Sequence, residues 1–269
     1  MNVPNKIKNR IEEHGSTIKV IDMNLLDEEK GRFRVLSFAD DDIQGVIDLD
    51  NPKRIVLEYP RAIIHLMEQN SPGFERAFII GHGIGTIAGY FGDRDMRTAE
   101  ISPTIAQWSR TYFGYNGAAV GVGDGRERLE QEADGSLDYI VLDAFTEKGT
   151  PWHLFTREFW NLTKRKLNER GMILLNVFGR GQRDSFVDAV WAGLSEVFEH
   201  TQGFALPPDD PRDTTNRILV GSTCTVTFKI GQMAGFQISE PNIGTILEDE
   251  MFGYSQKSMT GRAKDAGVE

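Results

Sequence analysis

The chain has 269 residues, 39% of them hydrophobic and 26% charged, with a formal net charge of −10 and a pI near 5.1. Such a chain buries a sizeable core as one large domain with an appendage, which excludes fibrous and disordered classes for its body, while its acidity argues against nucleic-acid binding through phosphate neutralisation. The amino terminus is polar, no apolar run approaches the ~20 residues of a membrane span, and the single Cys224 excludes an internal disulfide framework or a multi-thiolate metal site, so a cytoplasmic protein off the membrane is expected.

Between Ser16 and Leu57 short β-favouring runs (Ser16 to Met23, Phe33 to Phe38, Ile43 to Leu49, Ile55 to Leu57) alternate with the turns Asp40-Asp41-Asp42 and Asp48 to Pro52. They predict a small antiparallel β module over residues 1–58. Tyr59 to Gln69 spaces Ile63, Ile64, Leu66 and Met67 as a helix, and Ser71-Pro72-Gly73 ends it.

A βα series follows. The spacing predicts strands at Ala77 to Ile80, Arg97 to Ile101, Val120 to Val122, Asp138 to Leu142 and Met172 to Val177. Helices are predicted at Thr86 to Phe91, Pro103 to Phe113 and Thr156 to Leu167, with another after Asp184. Strands separated by helical lengths need crossover connections, hence a mainly parallel, Rossmann-like sheet over residues 59–235. Val197 to Ala205 and Ile218 to Ile230 have no helix between them and predict an antiparallel pair at the end of that sheet. Cys224 falls in the second run and reads as a buried, inert thiol. Residues 236–269 read as a polar tail, frayed from Gln256 onward.

Four blocks carry the chemistry: Ile79-Ile80-Gly81-His82-Gly83-Ile84-Gly85, Ala99-Glu100-Ile101-Ser102-Pro103, Val122-Gly123-Asp124-Gly125 and Ile140 to Phe145. From Gly81 an acid falls 19 residues on at Glu100, another 24 further at Asp124 and a third 19 further at Asp143. Each ends an apolar run, which in a doubly wound sheet is the carboxyl edge where ligands bind. Glycines 81, 83 and 85 let backbone approach a ligand, although their spacing is not that of the dinucleotide fingerprint. A carboxylate at Glu100 can accept both hydroxyls of a ribose, and Asp124, beside Gly125, can accept from an adenine amino group. The five histidines show no metal-ligand spacing, so no metal is expected; His82 can equally touch a ligand or pack the loop.

These blocks, with the β module before them, resemble the spermidine synthase-like family, polyamine aminopropyltransferases built on the class I methyltransferase fold. The resemblance spans roughly Ser16 to Lys229. It implies that Gln44 contacts the donor, that Tyr59 and Asp143 are catalytic, that Glu100 and Asp124 hold ribose and adenine, and that the chain is a homodimer. The implied reaction moves an aminopropyl group from decarboxylated S-adenosylmethionine to a small putrescine-like amine and releases methylthioadenosine.

Three positions depart from the family pattern: Ile84, Arg61 and Thr146 stand where it carries acids. Asp209, Asp210 and Glu147 are candidate substitutes for the acceptor amine, and Trp152 is a candidate wall of its pocket. The departures leave open a methyltransferase that uses S-adenosylmethionine itself and releases S-adenosylhomocysteine, or a nucleoside-binding regulatory protein without turnover.

Overall fold

The computed structural model describes residues 6–13, 16–38, 43–144, 151–180, 184–210 and 212–253. Asp40-Asp41-Asp42, Thr146, Glu147 and the carboxyl-terminal stretch from Gln256 lie outside them.

Strands β1 (Lys6–Glu13), β2 (Ser16–Leu26), β3 (Glu29–Ser37) and β4 (Ile43–Asp48) form an antiparallel sheet in chain order. Strand β1 was not anticipated, because its charged, mostly exposed sequence lacks the alternation that marks a half-buried strand. Ile55 makes only a single bridge to Ile47, so the run Ile55 to Leu57 is not a strand. One face of the module packs Ile18, Val20 and Leu36 against Ile105, Trp108 and Phe113 of helix α3 (Pro103–Phe113). That contact sets the module over the carboxyl edge of the larger sheet.

The larger sheet has eight strands. In chain order they are β5 (Arg76–Ile80), β6 (Asp95–Glu100), β7 (Gly121–Val122), β8 (Leu137–Leu142), β9 (Leu167–Arg180), β10 (His200–Ala205), β11 (Thr214–Ser222) and β12 (Gln237–Ile238). Their spatial order is β12-β10-β11-β9-β8-β5-β6-β7. The core from β7 to β9 is parallel, and β11 enters antiparallel to β9. The last strand was expected at Ile218 to Ile230; it ends at Ser222, and Cys224 lies beyond it, half-buried rather than enclosed.

Helices α1 (Glu58–Asn70) and α2 (Thr86–Tyr90) cover one face of this sheet, and α4 (Gly125–Glu130), α5 (Arg157–Lys166) and α6 (Ser185–Val197) the other. Strands buried on both faces read as near-continuous apolar runs, as in Leu137–Leu142. The six-residue α4 was not anticipated; Asp124 starts it by accepting from the backbone N–H groups of Arg126 and Glu127.

Past Gln232 the chain is anchored at a few buried residues, Met233, Phe236 and Asp249, between exposed ones such as Ile243. Met233 and Phe236 are buried against the α1 side of the sheet, and β12 pairs with β10. Asp249 opens a short 3-10 helix, Asp249–Phe252, and makes a bidentate ion pair with Arg126 at 2.8 and 2.7 Å. Thr156 donates to the same carboxylate at 2.7 Å, and both members of the pair are buried. Removing one partner of a buried pair leaves an uncompensated charge. Asp249→Ala is therefore expected to destabilise the fold by about 3–5 kcal/mol in urea unfolding, against about 1–2 kcal/mol for Thr156→Val, which removes this hydrogen bond and the hydroxyl that caps α5 by accepting from the Phe159 N–H.

Candidate active site

The sheet order reverses at β5, whose neighbours are β6 and β8, the place where ligands bind in an open α/β sheet. Three backbone contacts stitch the edge: Gly81 N–H donates to Ala99 O at 2.9 Å, Asp143 N–H to Ile80 O at 2.8 Å and Gly123 N–H to Glu100 O at 2.9 Å. Gly81 has φ 92°, and a Cβ there would fall 2.0 Å from the carbonyl oxygen of Asp143. Gly125 is equally confined, since its Cβ would meet Ile80 Cγ2 at 2.2 Å. Above this edge lies a cleft of about 230 Å³, roofed by Leu36, Phe38 and Gln44 of the β module. Gln44, Tyr59, Gly81, Gly83, Glu100, Asp124, Gly125 and Asp143 all line it, although they come from separate stretches of chain.

Glu100 is buried, and its carboxylate accepts from the backbone N–H groups of His82 (3.0 Å), Gly83 (3.2 Å) and Ser102 (3.0 Å). Burial raises its pKa against these bonds. Glu100 thus holds the glycine loop in place while facing the cleft. Asp124 divides its oxygens: Oδ1 caps α4, and Oδ2 lies 2.7 Å from His153 Nε2. His153, absent from the expected site residues, also lines the cleft; its sequence signal is its place in the family-like stretch Pro151 to Phe159.

Asp143 follows β8. Its Oδ1 accepts from Asn176 Nδ2 at 2.9 Å, and the Tyr59 hydroxyl donates to the same carboxylate. Burial pushes Asp143 from the ordinary 3.8 up to about 6, the two hydrogen bonds oppose that rise, and Glu100 adds to it. Burial and the Asp143 charge push the Tyr59 phenol well up, so it stays a donor. A carboxylate poised near neutrality, with its orientation set by two donors, is suited to accept a proton from a nucleophile.

No protein-family model matches the chain. It is 30% identical to a polyamine aminopropyltransferase of Vibrio vulnificus over 201 residues, which cover 70% of this chain and 64% of that protein. It is 30% identical to the polyamine aminopropyltransferase of Chromobacterium violaceum over 183 residues, which cover 64% of this chain and 67% of that one. The chain belongs to the polyamine aminopropyltransferase family. A solved structure of a probable spermidine synthase from Corynebacterium glutamicum superposes with a TM-score of 0.70 at 26% identity, covering 81% of each chain. Together with the strand order, it gives this family member a class I methyltransferase-like fold.

The family's departures take definite places. Ile84 lines the cleft and packs against Gly45, where a Cβ would meet Ile84 Cγ2 at 2.7 Å. Arg61 turns to the exposed Glu58 at 2.9 Å instead of the cleft. His65, on the same helix, accepts from the backbone N–H of Lys229 at 3.0 Å and ties α1 to the segment after β11.

Four of the expected substrate and loop residues sit apart from the cleft. Asp209 is exposed, and Asp210 pairs with Arg212 at 2.9 Å in the loop between β10 and β11. Trp152 is exposed, with its ring stacked on Phe252 at 5.3 Å, although its neighbours Pro151 and His153 line the cleft. Gly85 starts α2 and borders a second cavity behind the loop. Glu147 lies outside the described residues.

Gly81→Ala is expected to force β5 and β8 apart and to lower the melting temperature by several degrees in thermal scans. Because the folded pKa of Asp143 is raised, its ionisation opposes folding: the penalty is absent below about pH 4, grows through pH 6 and reaches at most about 3 kcal/mol at pH 8. Asp143→Asn should accordingly raise the melting temperature at pH 8 and lose that advantage at pH 4 in parallel thermal scans.

Proposed function

We propose that this chain transfers an aminopropyl group from decarboxylated S-adenosylmethionine to a small, putrescine-like amine in polyamine biosynthesis. One observation carries the reading. The cleft holds a carboxylate near neutral pKa, Asp143 with its Tyr59 partner, beside two further carboxylates, Glu100 and Asp124, on neighbouring strand ends. The donor supplies an alkyl carbon bonded to positively charged sulfur.

Each residue has a defined task. Glu100 accepts from ribose hydroxyls through the lone pairs its loop amides leave free, and Asp124 accepts from the base amino group beside His153. Gln44 holds the donor from the module side. Asp143 orients the acceptor amine and takes its proton as the new C–N bond forms and the C–S bond breaks, with the departing electron pair left on sulfur. The carboxylate must be ionised to do this, so kcat/KM should rise with pH through about 6. A cytoplasmic homodimer goes with the proposal; no described helix is long and apolar enough to cross a membrane.

A second reading has its own support. Ile84 presents hydrocarbon to the cleft where the family pattern has an acid, and a donor that keeps its carboxylate, S-adenosylmethionine in methyl transfer, needs no anion there.

Calorimetric titration decides between them. Aminopropyl transfer requires decarboxylated S-adenosylmethionine to bind at least about tenfold tighter than the intact donor, about 1.4 kcal/mol. The reverse preference overturns the proposal in favour of methyl transfer, and binding without turnover leaves a regulatory nucleoside-binding protein. Asp143→Asn should abolish product formation, read by chromatography of amine products, while leaving donor affinity within a few-fold; equal loss of both assigns it a structural role.

A further inference from the structure

The face of β9 and β11 that turns toward α1 is apolar along Met172, Leu174, Ile218 and Val220. Two amides interrupt it. Asn176 is buried at 2% exposure and continues the Met172–Leu174 row, and Asn216 continues the row of Ile218 and Val220 on the adjacent strand. Asn176 lies opposite Ile218 in the ladder, so Asn216 is its diagonal neighbour on the same face. Asn216 Nδ2 donates to Asn176 Oδ1 at 2.9 Å, and Asn176 Nδ2 donates to Asp143 Oδ1 at 2.9 Å.

An asparagine amide has a donor end and an acceptor end, and only the donor end suits a carboxylate. Flipped, Asn176 would turn its carbonyl oxygen on Asp143 and favour a protonated acid. Asn216 opposes a flip of Asn176 alone by occupying that oxygen with a donor. The direction of the chain therefore runs from Asn216 through Asn176 to an ionised Asp143, with Tyr59 donating from α1. Among the described residues, the titratable groups facing Asp143 are this phenol and the Glu100 carboxylate of β6, whereas β9 contributes a neutral donor.

We infer that Asn176 and Asn216 are paired positioning residues that orient the Asp143 carboxylate and hold it ionised for proton removal from the acceptor amine. The inference rests on the aminopropyl-transfer reading for its chemistry, but its test does not need turnover. The ionisation of Asp143 can be followed by carbon NMR of aspartate-labelled protein, its signal assigned by loss in Asp143→Asn.

Asn176→Leu, a hydrocarbon of similar size on an apolar face, should raise the midpoint of Asp143 by about one pH unit, a tenfold change in ionisation. Asn216→Leu should raise it by less, and that increment should vanish when Asn176 is already leucine, since the second amide acts only through the first. Asn176→Asp keeps the side-chain size, covers the case in which the leucine variant does not fold, and should raise the midpoint further by placing like charges together. An unchanged midpoint in the folded Asn176 variant overturns the inference. So does an Asn216 effect that persists undiminished in the Asn176→Leu background. In steady-state assays at pH 7, Asn176→Leu should lower kcat at least about twofold, the loss of ionised base that such a shift produces, with donor KM nearly constant; a rise confined to KM overturns the positioning role. Wild-type protein that titrates as described yet makes no aminopropyl product refutes the proposed function and leaves the amide pair standing.

Discussion

The near-contact of Gly81 with the Asp143 backbone governs the cleft. Strands β5 and β8 are adjacent and parallel, and at their carboxyl ends the turn from β5 into α2 runs against the first residues after β8. The separation of the two turns is set by the absence of a single Cβ, which would stand 2.0 Å from a carbonyl oxygen. At that distance the Asp143 N–H still reaches Ile80 O, so the edge is closed by hydrogen bonds and opens only where side chains are required. Glycine at a positive φ and an acid at the end of a buried strand are thus one structural unit, and neither is useful without the other.

Three carboxylates share this edge, and each is kept tolerable by a different device. Glu100 is satisfied by loop amides, Asp124 by a helix start and His153, and Asp143 by Tyr59 and Asn176. Under the proposed reaction the distinction assigns their roles. Cap and histidine bonds hold Asp124 below its ordinary pKa, whereas burial lifts Asp143 to about 6. Acids with environments that push their pKa values apart take different roles, one as a fixed acceptor and one as a base.

Much of this was legible in the sequence because it is written in short range. Apolar runs ending in Gly81, Glu100, Asp124 and Asp143 report strand ends directly, and the crossover lengths between them require a parallel sheet. What the sequence hid depends on pairing across distance. Asn176 sits inside an apolar run as an ordinary polar interruption until β9 is laid beside β8. His153 has no metal spacing and gains meaning only when its loop returns to Asp124, 29 residues earlier. Strand β1 escaped because both its faces are wet, and Asp249 because its partner Arg126 is 123 residues away.

Asp249 also shows why the carboxyl-terminal segment bears on the site although none of its described residues lines the cleft. Arg126 lies two residues after Asp124, and besides Asp249 its guanidinium donates to the carbonyl oxygen of His153 at 2.9 Å. One buried cation therefore joins the start of α4, the loop that presents His153 and the end of the described chain. The His153 ring and the Asp124 carboxylate meet at 2.7 Å because their backbones are clamped from behind by the same group. Loss of that clamp would free the loop carrying His153 as well as the segment carrying Asp249. Stability and the geometry of one wall of the cleft are in this way carried by a single interaction, just as Gly81 carries the opposing turns of β5 and β8.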